Sequence, residues 1–197
     1  MNMKTTELIH LLKENASAIQ AEWADFCTGP SLIMKAHVGR AEDTHSFFIL
    51  TAGAFETKFT DIFPQTLKLL RRIPRLRGAS FLTALPHAVV GLHKGQYGVQ
   101  RTLLGVEIPE DNSFELEGRA IPYQENQCIS FHDYQEHRGW NHSSSPRTVL
   151  LVDCWSPALI LPNPIRAITA RVVDKTRLKN GDAQQALRLQ KHLESQS

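Results

Sequence analysis

Between residues 79 and 157 the chain breaks into short apolar or alternating runs: ASFLTAL, HAVVGLH, TLLGVEI, FELEG, CISF and TVLLVDCW. Turn-forming segments separate them, notably Pro109-Glu110-Asp111-Asn112, Glu125-Asn126 and NHSSSP at 141–146. Several short strands at this spacing predict an all-β sandwich, barrel or jelly roll. Everything outside this stretch then becomes a flank to a β core.

The flanks have a different period. In residues 1–78, Leu8, Leu11, Leu12, Ile19, Trp23 and Phe26 fall on one face at helical intervals, with Thr5 as the expected N-cap and Gly29-Pro30 as the stop. Residues 31–56 are mixed and carry no clear period. A second helix is expected from Pro64 to Arg72, ending before Pro74. Arg71, Arg72, Arg75 and Arg77 read as a solvated helix end whose charge suits the C-terminal dipole, with an anion-facing loop as the sharper alternative. Residues 160–197 read as a helical tail, with Asp182 as N-cap and Ala186, Leu187 and Leu193 as its apolar face. At 197 residues and 42% hydrophobic content, the chain suits one domain with a substantial core. The expected division is an N-terminal helical flank (1–78), a β core (79–159) and the tail.

Several function classes drop out on composition. With 22 basic and 20 acidic residues, the chain lacks the charge excess of a nucleic-acid-coating protein. No apolar run approaches the roughly 20 residues that span a bilayer, and the first residues hold no signal-peptide core. Cys27, Cys128 and Cys154 are odd in number and far apart, so a disulfide framework is not expected; a reducing, cytoplasmic setting is. Oligomeric state is not legible.

Polar chemistry enters the β region at a few places. His93 ends a strand-like run in the Gly-flanked GLHKGQY, and His137 lies in HDYQEHRGW just before another strand. A jelly roll can bring two such positions together at its open end. Neutral imidazole suits iron, copper, nickel or zinc about equally, so two histidines do not name a metal. A carboxylate two residues after the first histidine would complete a familiar iron site, but Gly95 stands there. Arg147 opens the apolar strand RTVLLVDCW; a guanidinium is almost never buried without a partner, so it is either a charge at the strand's mouth or a clamp for a carboxylate inside the barrel. Arg101 poses the same choice. Two histidines and two arginines in one cavity would suit an anionic, metal-chelating cosubstrate.

These residues occur in an ordered series. Phe131, Asp133, Glu136-His137, Trp140, Arg147 and Asp153-Cys154-Trp155 follow one another in SFHDYQEHRGWNHSSSPRTVLLVDCWSPAL, and LHKGQYGVQRTLLGVEIP and FPQTLKLLRRIP lie upstream. From Pro64 to Leu159 the chain resembles the aspartyl/asparaginyl β-hydroxylase family of iron(II)- and 2-oxoglutarate-dependent dioxygenases. The resemblance implies a mainly β fold with flanking helices, built on a double-stranded β-helix, the cupin-like jelly roll. It implies iron(II) on His93 and His137, 2-oxoglutarate as cosubstrate with its far carboxylate on Arg147, and Arg101 against an acidic substrate group. It also implies dioxygen and a small-molecule, aminoacyl or peptide substrate, hydroxylated at an unactivated C–H bond such as an amino acid β-carbon. Members of the vertebrate type resemble this chain in having glycine at the Gly95 position.

The chain departs from that pattern in places. A family histidine two residues after the Arg101 position is Leu103 here, and the histidine after Asp-x-Trp is Ser156. The serine that touches 2-oxoglutarate aligns near Leu82, which leaves Ser80 and Thr83, on either side, as the expected contacts. VVGL and LLVDCW are expected to wall the site, with Trp155 as plain core. Two other readings remain: a halogenase with halide beside Gly95, and a non-catalytic jelly-roll binding module.

Overall fold

The computed structural model describes residues 3–28, 38–41, 44–51, 54–55, 62–156, 165 and 168. The chain opens with α1 (Thr5–Glu14) and α2 (Ala16–Thr28), where the apolar period predicts one continuous helix. The break is at Asn15, which leaves helical geometry (φ −106°, ψ 6°) and donates its side-chain amide to the Leu11 carbonyl at 2.8 Å. That bond satisfies an end carbonyl that α1 would otherwise leave orphaned. The cap is Lys4, not Thr5, and its N–H donates to the Glu7 carboxylate at 2.8 Å. The predicted face is nonetheless buried from Leu8 through Phe26.

The short helix α3 (Pro64–Leu70) starts on a proline, as expected, but its N-cap residue, Phe63, has no side chain able to cap. Glu22 of α2 does that work. Its buried carboxylate accepts from the Gln65 and Thr66 N–H groups and, at 2.6 Å, from the Thr66 hydroxyl. An anion is favoured at a helix N-terminus, so one side chain both caps α3 and docks α2 on it.

The segment 31–56, which carries no clear period in sequence, holds strands. It contributes β1 (Val38–Ala41), β2 (Thr44–Thr51) and β3 (Ala54–Phe55), so the flank 1–78 is not helical throughout. The core strands follow: β4 (Leu76–Ala84), β5 (Val89–His93), β6 (Val99–Glu107), β7 (Asn112–Leu116), β8 (Arg119–Ile121), β9 (Cys128–His132), β10 (His137–Asn141) and β11 (Arg147–Trp155). Arg75 and Arg77 therefore lie beyond the helix end to which they were assigned, and Arg77 sits in β4. The expected tail helix around Asp182 and Leu187 lies outside the described residues.

All pairings are antiparallel and form two sheets. The larger runs β1-β2-β4-β11-β6-β9, with β3 on β2, and the smaller runs β5-β10-β7-β8. Apart from β7 and β8, which form a hairpin within the smaller sheet, strands β4 to β11 thus alternate between facing sheets, which is the double-stranded β-helix. A two-residue turn at Glu117-Gly118, both with positive φ, closes the β7–β8 hairpin with the hand that strand twist requires.

The larger sheet separates two cores. On one face Phe81, Leu104, Leu150 and Val152 pack against the helices, with Trp23 stacked on Phe81 (4.6 Å between centroids) and Phe63 tilted against it at 4.9 Å. On the other face Leu103, Val149 and Leu151 meet Phe114, Tyr123, Ile129 and Phe131 between the sheets. Strand alternation makes the division strict. Along β11, Arg147, Val149, Leu151 and Asp153 point to the barrel interior, and Thr148, Leu150 and Val152 point to the helices.

Candidate active site

His93 and His137 are cross-strand partners, opposite each other at the end of β5 and the start of β10. Their rings therefore share a face, with centroids 4.2 Å apart. Each ring is oriented by a short local bond: His93 Nδ1 lies 2.8 Å from the Gly91 carbonyl, and His137 Nδ1 lies 2.8 Å from the Gln135 carbonyl. A neutral ring that donates from Nδ1 presents its Nε2 lone pair outward, the usual arrangement of a metal-binding imidazole. Burial pushes the His137 pKa down, and the charges of Arg101 and a protonated His93 push the same way, against the Gln135 carbonyl and Asp133. Neutral imidazole is the form that binds metals, and this environment favours the neutral ring. Phe131 packs on the His137 ring at 4.7 Å. Among the described residues no group of three or more His, Cys, Asp or Glu is placed to hold a metal ion.

The space beside Gly95 is filled. A side chain built on Gly95 would overlap the Asp133 carboxylate. Asp133 is fixed there from both ends. Its backbone carbonyl accepts from Gly95 N–H at 2.7 Å, Oδ2 accepts from Gln96 N–H at 2.7 Å, and Arg101 Nη1 lies 2.6 Å from Oδ1. That last contact is an ion pair set off the N–H axis, which leaves Oδ1 without a hydrogen bond.

Arg101 has little left for a substrate. Its Nε and Nη2 donate side by side to Asp153 at 2.9 and 2.8 Å, while Nη1 faces Asp133. Asp153 also accepts from Arg77 Nη1 at 2.9 Å, and Arg77 Nη2 donates to Gln96 at 2.7 Å. Burial opposes the Arg101 charge, but the two aspartates outweigh it and hold its pKa above the ordinary arginine value. The arginine expected to grip substrate is thus the hub of a buried ion network that sets Asp133.

Arg147 is the opposite case. It is buried on the interior face, where Nη1 donates to the Ser113 and Trp140 carbonyls, both at 3.1 Å. Among the described residues no carboxylate lies within ion-pair distance of it. Burial pushes its pKa down, with Tyr123 opposing. The loop 141–146 is locked just before it by Asn141, whose amide donates to Ala84, Leu85 and Ser145 carbonyls. Gly139 keeps the opposite wall clear, since a Cβ there would come within 3.3 Å of both Nη atoms.

Of the expected cosubstrate contacts, Ser80 is buried on the interior face opposite Leu151. Thr83 is on the helix-facing side, its hydroxyl 2.9 Å from that of Thr148, and does not reach Arg147's cavity. The expected VVGL wall is also absent, because Val89 and Leu92 are each 55% exposed. Trp140 lies on the outer face of β10 under the Arg138 guanidinium (4.6 Å), and Trp155 is half-buried under Arg77 (5.7 Å), not core. Sequence reasoning missed Tyr123, a buried phenol in the β8–β9 connection. An aromatic with a polar tip in a short link between core strands was the available signal.

The family model for aspartyl/asparaginyl beta-hydroxylase matches residues 13–157, well over half of the chain. The chain belongs to the aspartyl/asparaginyl β-hydroxylase family. Relatives include an ornithine lipid ester-linked acyl 2-hydroxylase of Rhizobium tropici, 32% identical over 127 residues that cover 62% of this chain and 44% of that protein. The human aspartyl/asparaginyl beta-hydroxylase is 26% identical over 175 residues, 84% of this chain and 23% of that protein. The β-hydroxylase-family chain thus spans less than half the length of either. Among solved structures, the cupin domain of Schizosaccharomyces pombe Cnp3 superposes with a TM-score of 0.45 at 5% identity, over 65% of this chain and 76% of that one. No helix among the described residues is long and apolar enough to cross a membrane.

Proposed function

We propose that the chain is an iron(II)- and 2-oxoglutarate-dependent dioxygenase that hydroxylates an unactivated C–H bond. The observation that carries the reading is the pairing of two opposed, outward-presented imidazoles with an anion-free guanidinium buried in the same barrel interior. His93 and His137 would hold iron(II) through Nε2, and Arg147 would hold the far carboxylate of 2-oxoglutarate. A buried cation with only two carbonyl partners fits an absent anion better than it fits a structural role. Bound iron(II) would supply dioxygen activation coupled to oxidative decarboxylation of the cosubstrate.

The chain's own residues supply placement. The Gly91 and Gln135 carbonyls fix the tautomer and aim of the two rings. The apolar side chains of Val149, Leu151, Leu103 and Phe131 line the interior between the sheets. Asp133, held by Arg101, places an anionic oxygen where the third protein ligand would otherwise start. It offers a hydrogen-bond acceptor for a water in that position and balances positive charge there. The same carboxylate disfavours the halide reading, since two anions would compete for one small space. A structural barrel has no use for the uncompensated Arg147, which weighs against a binding module with no ligand. Dioxygen is the co-reactant, and the substrate class proposed is an amino acid, an aminoacyl or peptidyl residue, or an acyl group as in the bacterial relative's name.

The test is an anaerobic titration of metal-free protein with iron(II), then 2-oxoglutarate, following the visible charge-transfer band of the chelate. The band is expected in wild type and absent in His93→Ala and His137→Ala. A folded wild-type protein that shows no band would overturn the proposal.

A further inference from the structure

Tyr123 is a second polar group in the barrel interior, and the ligand scheme above leaves it idle. Its side chain is buried beside Phe114, with ring centroids 6.2 Å apart, and its hydroxyl has no hydrogen-bond partner among the described residues. Buried phenols rarely stay unpaired, because the lost water contact is not replaced.

The backbone holds this phenol in place. The connection 122–127 is tied to β6: Gly105 N–H donates to the Gln127 carbonyl at 2.9 Å, and Asn126 N–H donates to the Gly105 carbonyl at 3.0 Å. A side chain at Gly105 would overlap the Gln124 carbonyl, so glycine permits the close approach that turns Tyr123 inward. Phe114, on which Tyr123 packs, directly follows Ser113, whose carbonyl receives Arg147 Nη1. Phenol and guanidinium thus line one region of the interior, near enough for the Arg147 charge to act on the phenol. Burial keeps that phenol protonated, hence a donor.

Leu82 and Leu103 face the interior opposite Val149 and Leu151. One cationic donor and one neutral donor lie along the same Ser113–Phe114 stretch, and among the described residues no carboxylate pairs with either. A carboxylate, with its several lone pairs, is the group that satisfies both.

We propose that Tyr123 is a specificity-determining residue of the cosubstrate pocket, donating its phenol O–H to the far carboxylate of a 2-oxo diacid already paired with Arg147. This rests on the proposed function above and extends it. Arg147 alone attracts any carboxylate, whereas a phenol anchored through the β8–β9 connection fixes how deep that carboxylate must sit. The pocket then selects the diacid over 2-oxo acids that lack the second carboxylate.

The test is Tyr123→Phe, which removes only the hydroxyl. Iron(II)-loaded full-length protein is titrated anaerobically with 2-oxoglutarate and, separately, with 2-oxobutyrate, which carries no far carboxylate; affinity is read from the chelate band and calorimetry. The variant is expected to bind 2-oxoglutarate about ten- to a hundredfold more weakly, the loss of one hydrogen bond to a charged group. Its 2-oxobutyrate affinity is expected to stay within about twofold of wild type, and its melting temperature to hold. Unchanged 2-oxoglutarate affinity, or an equal loss for both acids, overturns the role of Tyr123 and leaves the oxygenase reading standing. Wild-type protein that binds neither acid overturns the oxygenase reading, and the phenol's role with it.

Discussion

The two faces of the larger sheet are built to different rules. On the helix side Phe47, Phe63, Phe81, Leu70, Leu104 and Leu150 have no measurable exposure. On the barrel side the buried apolar cluster keeps a few per cent, from 3% at Phe131 to 7% at Leu103, Tyr123 and Leu151. The helix side is closed by an aromatic cluster and carries stability. The barrel side is left slightly open and holds the two charged groups least suited to a core, the Asp153–Arg101–Asp133 network and the unpaired Arg147. One sheet therefore separates the part that keeps the chain folded from the part that can receive ligands.

The contrast can be broken from either face. Phe81→Ala empties the centre of the aromatic cluster and should cost about 3–5 kcal/mol in denaturant unfolding. It should leave ligand affinity of the remaining folded protein intact; a comparable loss of affinity would deny the division of labour. Asp153→Ala removes the buried carboxylate that Arg101 and Arg77 share and leaves Arg101 with Asp133 alone, an expected loss of about 3–5 kcal/mol. It should also release Asp133, so iron(II) retention should fall with it; destabilisation with full iron retention would show that Asp133 does not depend on Arg101.

Gly95→Asp should cost about 1–3 kcal/mol through overlap and like-charge repulsion with Asp133, and should weaken iron(II) binding instead of rebuilding a three-ligand site. The double variant Gly95→Asp/Asp133→Gly relieves the clash and should recover part of both losses. Tighter iron binding in the single variant would contradict this. The smallest effect has the opposite sign: Arg147→Met replaces an uncompensated cation by an apolar chain of similar length and should stabilise the empty protein by about 1 kcal/mol, while abolishing measurable 2-oxoglutarate binding. A stability loss there would make Arg147 part of the structure, not of the pocket.

How much of this was legible depended on whether a partner lay nearby in sequence or across a strand. The β core was readable because alternation and turn residues are local signals. His93 and His137 stood out as an ordered motif, whereas Arg147 could be read either as a charge at the strand's mouth or as a group inside the barrel, and only its place in the β4–β11–β6 layer decides for burial. Strand β2 was not readable, because THSFFILT mixes polar and apolar residues without a clear alternation, and its pairing with β1, β3 and β4 gives it a place. The partners of Arg101 were not legible, because Asp153 is opposite it only in the β6–β11 register. Nor does any spacing reveal that the Asp133 carboxylate fills the space a side chain at Gly95 would take; that is a meeting of two turns.

The two histidines differ in how securely their strands are held. His137 lies on β10, flanked by β5 and β7, whereas His93 ends β5, the outermost of the described strands in its sheet, and the pairing between them shifts register just past the histidines. An edge strand opens to solvent at lower free energy than an interior one. Whatever bridges the two rings would also rivet that edge to the middle of the sheet. Occupancy and local order are then linked by mass action. Backbone amides of Val89–His93 should exchange quickly in the empty protein and slow on loading, while those of β10 change little, so the strand that donates the first ligand would also report on the site's occupancy.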